Sequence, residues 1–308
     1  MLSAIAATLA IVAIGYFLKQ KDFLPDTVWQ GLSPLCYWVL FPGLLFDVMT
    51  TMELSAAVLG PFTLTIACAS VVIVLYAIVA GRAIGMDGPA HSSLVQGSLR
   101  HNGFLVLSIL QGAFGVAAVQ LTAVAIAVIV PISNIVSVIA ILVMTGKGGD
   151  RGMKRAIVAE LLRNPLLLSL ALGCGVNLLQ IPVPSFIATA AAMLGHGALP
   201  LLLLSIGASL RFSAIRGHAV PLGLAIAAKA LVYPAALVGM GLFLGLDELS
   251  LVVLAAAGAA PTANSSYTLA AELGGDSRLM AEIISTQTVV AALSMPIWIW
   301  VAGQLAQT

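Results

Sequence analysis

Two short polar stretches interrupt a chain that is otherwise almost continuously apolar. The first reads Arg100-His101-Asn102-Gly103-Phe104 and the second Ala260-Pro261-Thr262-Ala263-Asn264. Proline removes a backbone donor and clashes with the preceding turn, so an apolar helix passing through Pro261 breaks there. Asn102, Thr262 and Asn264 offer amide and hydroxyl groups that can satisfy the freed backbone. Arg100 can face an anion, and His101 can titrate near neutral pH and couple movement to protons. If both breaks lie at one depth and cross, the second half-helix of each aims its N-terminal N–H groups at one point, which favours an anion. The candidate binding set is therefore Arg100, His101, Asn102, Gly103, Pro261, Thr262, Ala263 and Asn264. Arg100 has a structural alternative, an ion pair with Asp47.

Further polar groups fall inside apolar runs and suit coupling or support. These are Asp47, Asn134, Lys229, Glu282 and Thr286. Lys229 can bridge Asp47, Glu282 or carbonyls freed by the breaks, since an unpaired ammonium inside a span is costly. A sodium site would need a cage of oxygens, for which Asn102, Asn134, Ser285, Thr286 and Gln287 are candidates. His196 reads as packing or a pore-side hydrogen bond, and His91 and His218 fall in loops. Cys36, Cys68 and Cys174 show no metal-ligand spacing, so neither a metal site nor a cofactor is expected.

The elements that hold these residues follow from composition. Of 308 residues, 61% are hydrophobic and 8% charged, and mean hydropathy is +1.11. That is far too little charge to cover a soluble domain. A net charge of +1 gives no basic face for nucleic acid. A membrane helix needs roughly 20 apolar residues. Ten segments qualify, at about 2–18, 28–50, 58–80, 92–115, 117–144, 164–180, 184–210, 219–245, 249–272 and 279–304. The first lacks the basic leader and small-residue cleavage site of a signal peptide and is read as a helix.

Lysine and arginine segregate across this division. One set of loops carries Lys19, Lys21, Arg82, Lys147, Arg151, Lys154, Arg155, Arg163, Arg211, Arg216 and Arg278. The opposite loops and both tails carry none. By the positive-inside rule both termini face outside and 145–163 is a cytoplasmic linker. That linker separates 1–144 from 164–308, and the halves echo each other. An offset of 158 carries Gly15 onto Gly173, Pro42 onto Pro200 and Asn102-Gly103 onto Ala260-Pro261. An offset of 160 carries Gly85-Met86-Asp87 onto Gly245-Leu246-Asp247. Five spans per half invert the second half, giving an all-α membrane protein of two inverted five-helix repeats with broken fourth and ninth helices. Such repeats point to a secondary transporter.

Together Arg100-His101-Asn102-Gly103-Phe104, Pro131 with Asn134, Asn164-Pro165-Leu166, Lys229 with Pro234, Ala260-Pro261-Thr262-Ala263 and Ser285-Thr286 followed by Pro296 resemble the auxin efflux carrier family. That family lies within the bile acid/sodium symporter-like superfamily, and the resemblance covers essentially the whole chain. It implies scaffold helices one, two, six and seven, and transport helices three to five and eight to ten. It also implies an X-shaped crossing of helices four and nine, elevator-type movement and a homodimer. Plant relatives carry proline at both crossings, whereas Gly103 occupies the first one here.

The expected function is a carrier for small organic anions, mono- or dicarboxylates, in a bacterial inner membrane, with proton or sodium coupling. Alternatives are a sodium-coupled symporter of the bile acid type and a channel or sensor on the same fold. An enzyme is not expected. No paired-carboxylate, His-Glu-x-x-His or Gly-x-Ser-Gly arrangement is present, and the acids are too dispersed to hold magnesium for prenyl transfer.

Overall fold

A computed structural model describes residues 2–52, 56–147, 150–210 and 218–307. Among the described residues every regular element is helical. In order they are α1 (Leu2–Gln20), α2 (Asp26–Leu35), α3 (Phe41–Thr51), α4 (Ala56–Ala83), α5 (Gly88–Leu99), α6 (Gly103–Met144), α7 (Asp150–Leu162), α8 (Pro165–Leu178), α9 (Ser185–Ser209), α10 (Ala219–Ala227), α11 (Tyr233–Phe243), α12 (Glu248–Ala259), α13 (Ser265–Leu273) and α14 (Ser277–Leu305). Single π turns join α2 to α3 (Cys36–Leu40) and α10 to α11 (Ala228–Val232). Arg211 and Arg216 lie outside the described residues.

Six helical stretches among these are long and apolar enough to cross a membrane, and a bent pair at Gly152–Leu162 and Pro165–Leu178 would make a seventh. This all-helical, strongly apolar chain is an integral membrane protein. Length and apolarity return six or seven spans, fewer than the ten expected. The run Gly88–Met144 counts as one stretch, although it is interrupted between Leu99 and Gly103 and kinked at Gly115, whose φ is 71°. Likewise 248–273 is divided into α12 and α13, each too short to qualify.

The two π turns have a common cause. Each directly precedes a proline in the first turn of the next helix, Pro42 or Pro234. A proline ring crowds the carbonyl four residues back and leaves it without a donor; the wider π turn relieves the crowding. For Pro234 the abandoned carbonyl is that of Ala230, and the Trp298 indole of α14 donates to it at 2.7 Å. The π turn before Pro234 also carries Lys229.

The helices fall into two compact units. One comprises 1–54, 107–127 and 162–210, and the other 55–106, 128–161 and 211–308. In the first, α3 packs on α8 and α9, and α1 on α9. Gly15 of α1 faces the backbone of Leu204, and Gly173 of α8 faces the backbone of Phe46. At the offset of 158, Gly15 becomes Gly173 and Phe46 becomes Leu204. The two contacts are reciprocal.

The second unit has an apolar centre built from Ala77, Leu94, Val95, Ala140, Leu222, Ala225, Leu279 and Ile283. Its α4–α5 and α11–α12 corners are alike residue for residue at the offset of 160. Gly85 N–H donates to Arg82 O and Met86 N–H to Gly81 O; Gly245 N–H donates to Leu242 O and Leu246 N–H to Gly241 O. Gly85 and Gly245 take φ of 67° and 71°, left-handed values that end a helix without Cβ strain. Asp87 then caps α5 through Ala90 N–H, and Asp247 caps α12 through Ser250 N–H. Gly81 and Gly241 admit the side chains of His91 and Leu251, again 160 apart. His91 is therefore not a loop residue. It is buried on α5, with Nε2 3.2 Å from Ala77 O.

Candidate functional site: the meeting of two broken helices

The residues that terminate α5 and α12 leave carbonyls and N–H groups that lipid cannot satisfy, each costing several kcal/mol if abandoned. The second unit resolves this by bringing the breaks together. Arg100 turns the chain out of α5 with φ −63° and ψ 141°, and Ala260 does the same after α12 with φ −65° and ψ 141°. Asn102 N–H donates to Pro261 O at 2.7 Å, joining one break to the other through the backbone.

Thr262 and Gln287 complete the junction. Thr262 N–H donates to Gln287 Oε1 at 2.9 Å, and its hydroxyl lies 2.8 Å from the same oxygen and 2.9 Å from Gly97 O. Gln287 Nε2 donates to Gly97 O at 2.9 Å and Ala225 O at 2.8 Å. One amide on α14 thus ties α5, α10 and the second break. The oxygen-cage expectation noted Gln287, but its tying role was unmarked beyond being a lone glutamine in an apolar run.

Charge gathers around the same point. Arg100 is 6% exposed, and its Nη2 donates to Ser265 Oγ at 3.0 Å, on the first residue of α13. Lys229 is 2% exposed. Its ammonium lies 3.4 Å from Leu99 O, at the carbonyl end of α5, and 4.8 Å from the Tyr233 ring centroid. A cation there complements the helix dipole and gains from the ring quadrupole. Of the partners expected for Lys229, the structure selects a freed carbonyl. His101 is buried, both ring nitrogens lack a hydrogen-bond partner among the described residues, and Lys229 and Arg100 lie within electrostatic reach.

The remaining expected residues divide. Asn102 is buried and caps α6 by accepting from Leu105 N–H at 3.3 Å, with Gly103 opening that helix. Pro261 and Thr262 are buried, Ala263 is half-buried and Asn264 is exposed at the start of α13. Asn134 is buried on α6, and neither atom of its amide has a partner among the described residues. Thr286 returns its hydroxyl to Glu282 O within its own helix, as Ser285 does to Ala281 O. Glu282 pairs with His218 Nδ1 at 3.2 Å and Arg278 Nε at 3.6 Å. His218 therefore makes a side-chain contact with Glu282 that its position in the sequence did not announce. Gln96, fully buried on α5 with no partner for its amide among the described residues, was also not singled out.

Asp47 belongs to the first unit. It is half-buried on α3, within electrostatic reach of His196. His196 in turn lines a cleft of about 430 Å³ with Thr8, Ser108, Gln111 and Pro200. Within that unit Asn177 donates to the carbonyls of Met49, Thr50 and Met52 at 2.8–3.1 Å, closing the end of α3.

The comparisons with known proteins agree with the transporter pattern. A family model described as membrane transport protein matches residues 1–299. The chain is 26% identical over 304 residues to an uncharacterized transporter of Methanothermobacter thermautotrophicus, with 96% of each chain covered. The chain belongs to the membrane transport protein family, the auxin efflux carrier-like group that its motifs resemble.

Proposed function

We propose that this protein is a secondary carrier of small organic anions, most simply mono- or dicarboxylates, with the cargo carboxylate held where the two broken helices meet. The observation that carries the reading is the hydrogen bond from Asn102 N–H to Pro261 O, which joins the breaks before α6 and α13, with buried Arg100 at Ser265 of α13 and buried Lys229 at the carbonyl end of α5. Helix N-termini and fixed cations both favour an anion. Arg100, His101, Asn102, Gly103, Pro261, Thr262, Ala263 and Asn264 form the binding set. Lys229 supports it by holding the end of α5, and His101 and Asn134 are the groups for ion or proton coupling.

In this reading the chain has ten spans in two inverted repeats, with broken helices four and nine. The 158-offset contacts and 160-offset corners support the duplication, and the loop charges support termini outside and 145–163 inside. Movement is of the elevator type, in a homodimer in a bacterial inner membrane. Single cysteines at 147 and 306 test the topology with an impermeant label. Intact cells label 306 alone; labelling of 147 alone overturns it.

The function is tested by uptake into proteoliposomes with a panel of carboxylates, imposing proton and sodium gradients separately. Saturable uptake with counterflow is expected. Flux that neither saturates nor exchanges marks a channel, and a strict sodium requirement marks a symporter of the bile acid type. Cysteines at 102 and 264 should crosslink with a short reagent, more slowly in saturating substrate. Failure to bridge them in protein that still transports moves the cargo elsewhere.

A further inference from the structure

The stretch expected as a linker contains a helix with two unlike faces. Residues 145–163 carry five basic and two acidic side chains, and α7 spans Asp150–Leu162. Thirteen residues with this charge cannot cross a bilayer. Short links hold α7 close to the apolar helices on either side, five residues to α6 and two to α8. In the ten-span reading, on which this rests, α6 and α8 each cross the membrane, and a charged helix leashed so closely between them lies at the lipid surface.

Its inward face is occupied. Met153, Ala156 and Ile157 pack on a cluster of Val138, Ile141 and Leu142 from α6 and Leu269 from α13, joined by Leu273. Its outward face is of mixed character. Lys154 and Arg155 are exposed, Val158 is 52% exposed and Leu162 65%. At 100° per residue these four positions fall within one 100° sector. A purely solvated face would have no use for two aliphatic side chains one turn apart beside the cations. Cations with neighbouring aliphatics match the boundary between anionic headgroups and acyl chains, where each Lys or Arg adds to binding and the aliphatics enter the boundary layer.

We propose that the outward face of α7 binds the anionic phospholipid headgroups of the surrounding bilayer and so steadies α13, on which the inward face rests. The occupant is lipid because the cations lie beside exposed aliphatics on a helix that its short links keep at the membrane surface. A soluble anion would find the same charges but no use for Val158 and Leu162. Order passes inward through Met153 and Ile157 to Leu269 and Leu273. At the far end of α13, Lys147 lies against the Gly274 cap, so a third cation from the same linker meets the carbonyl end of that helix.

Amide hydrogen exchange of the full chain in nanodiscs tests this without reference to transport. Discs of phosphatidylglycerol should slow exchange across 150–162 and 265–273 relative to discs of phosphatidylcholine. At the usual gain per surface cation, Lys154→Gln with Arg155→Gln should weaken retention of phosphatidylglycerol, read by native mass spectrometry, about 30-fold. Both side chains are exposed, so the fold survives their loss. The charge-keeping pair Lys154→Arg with Arg155→Lys should bind as the wild type does. Equal protection in both kinds of disc overturns the proposal. So does protection in phosphatidylcholine discs brought about by inorganic phosphate alone, which would make the site one for a free anion.

Discussion

Leu99 and Ala259 each end a twelve-residue helix that starts from a capping aspartate and follows a left-handed glycine, and the residues after them take nearly the same dihedral angles. Beyond that point the two breaks part. The first spends three residues, Arg100 to Asn102, all buried, and the new helix is capped by the Asn102 side chain. The second spends five, Ala260 to Asn264, rises from buried to exposed, and opens α13 with no side-chain cap. One break carries charge and rigidity, and the other carries access. Two breaks that begin alike thus end as a fixed half and an approachable half of one junction, with Gln287 holding them in register.

The sharpest way to break this picture is to remove the tie. Gln287→Leu takes a donor from Gly97 O and Ala225 O and the acceptor from Thr262 N–H inside an apolar unit, at about 1–3 kcal/mol for each group left unpaired. Thermal unfolding in detergent should fall by several degrees or more, the largest loss among these variants. A Tm within 1 °C of the wild type would show that the breaks hold each other unaided.

Arg100→Gln separates charge from structure in the fixed half. Apparent affinity for an anionic substrate should fall about tenfold, equivalent to ~1.4 kcal/mol, with a smaller effect on yield of folded protein. Unchanged uptake kinetics in a folded variant would assign Arg100 to holding Ser265 alone.

The asparagines should part in opposite directions. Asn102→Ala loses a helix cap, ~1 kcal/mol of stability, whereas Asn264→Ala leaves Tm nearly unmoved and lowers substrate affinity severalfold. A stability loss at 264 equal to that at 102 would erase the contrast between the halves.

The smallest effect compares the corners. Gly81→Ala presses on the His91 ring, which is fixed by its contact with Ala77 O, and should cost ~1 kcal/mol. Gly241→Ala meets the flexible ends of Leu251, Leu246 and Leu254 and should cost less. Equal melting points for the two variants would mean that the His91 ring yields as easily.

The breaks were legible because polar side chains and a proline are conspicuous in an apolar run, whatever surrounds them. The 160-offset corner was legible because Gly and Asp there do local work that needs no partner elsewhere. What escaped depends on groups distant in sequence. Gln287 gains its meaning from Gly97, Ala225 and Thr262, and Glu282 from His218. The π turns left only Pro42 and Pro234 as traces, since an extra residue in a turn does not alter composition. Helix α7 was hidden by its charge, which marks a loop as readily as a surface helix.

The reciprocal contacts in the first unit constrain how the chain is made. Gly15 waits for Leu204, which is synthesised 189 residues later, while Phe46 waits for Gly173. At ~5–20 residues per second, α1 stands without its partner for roughly 10–40 s after it leaves the ribosome. The first half must therefore be held in the membrane unfinished, and neither half can close its own glycine contact. With the native cysteines replaced, a Val12→Cys chain stalled before Leu204 should react readily with a lipid-soluble alkylating reagent, and a stalled chain long enough to insert α9, which buries Val12, should not.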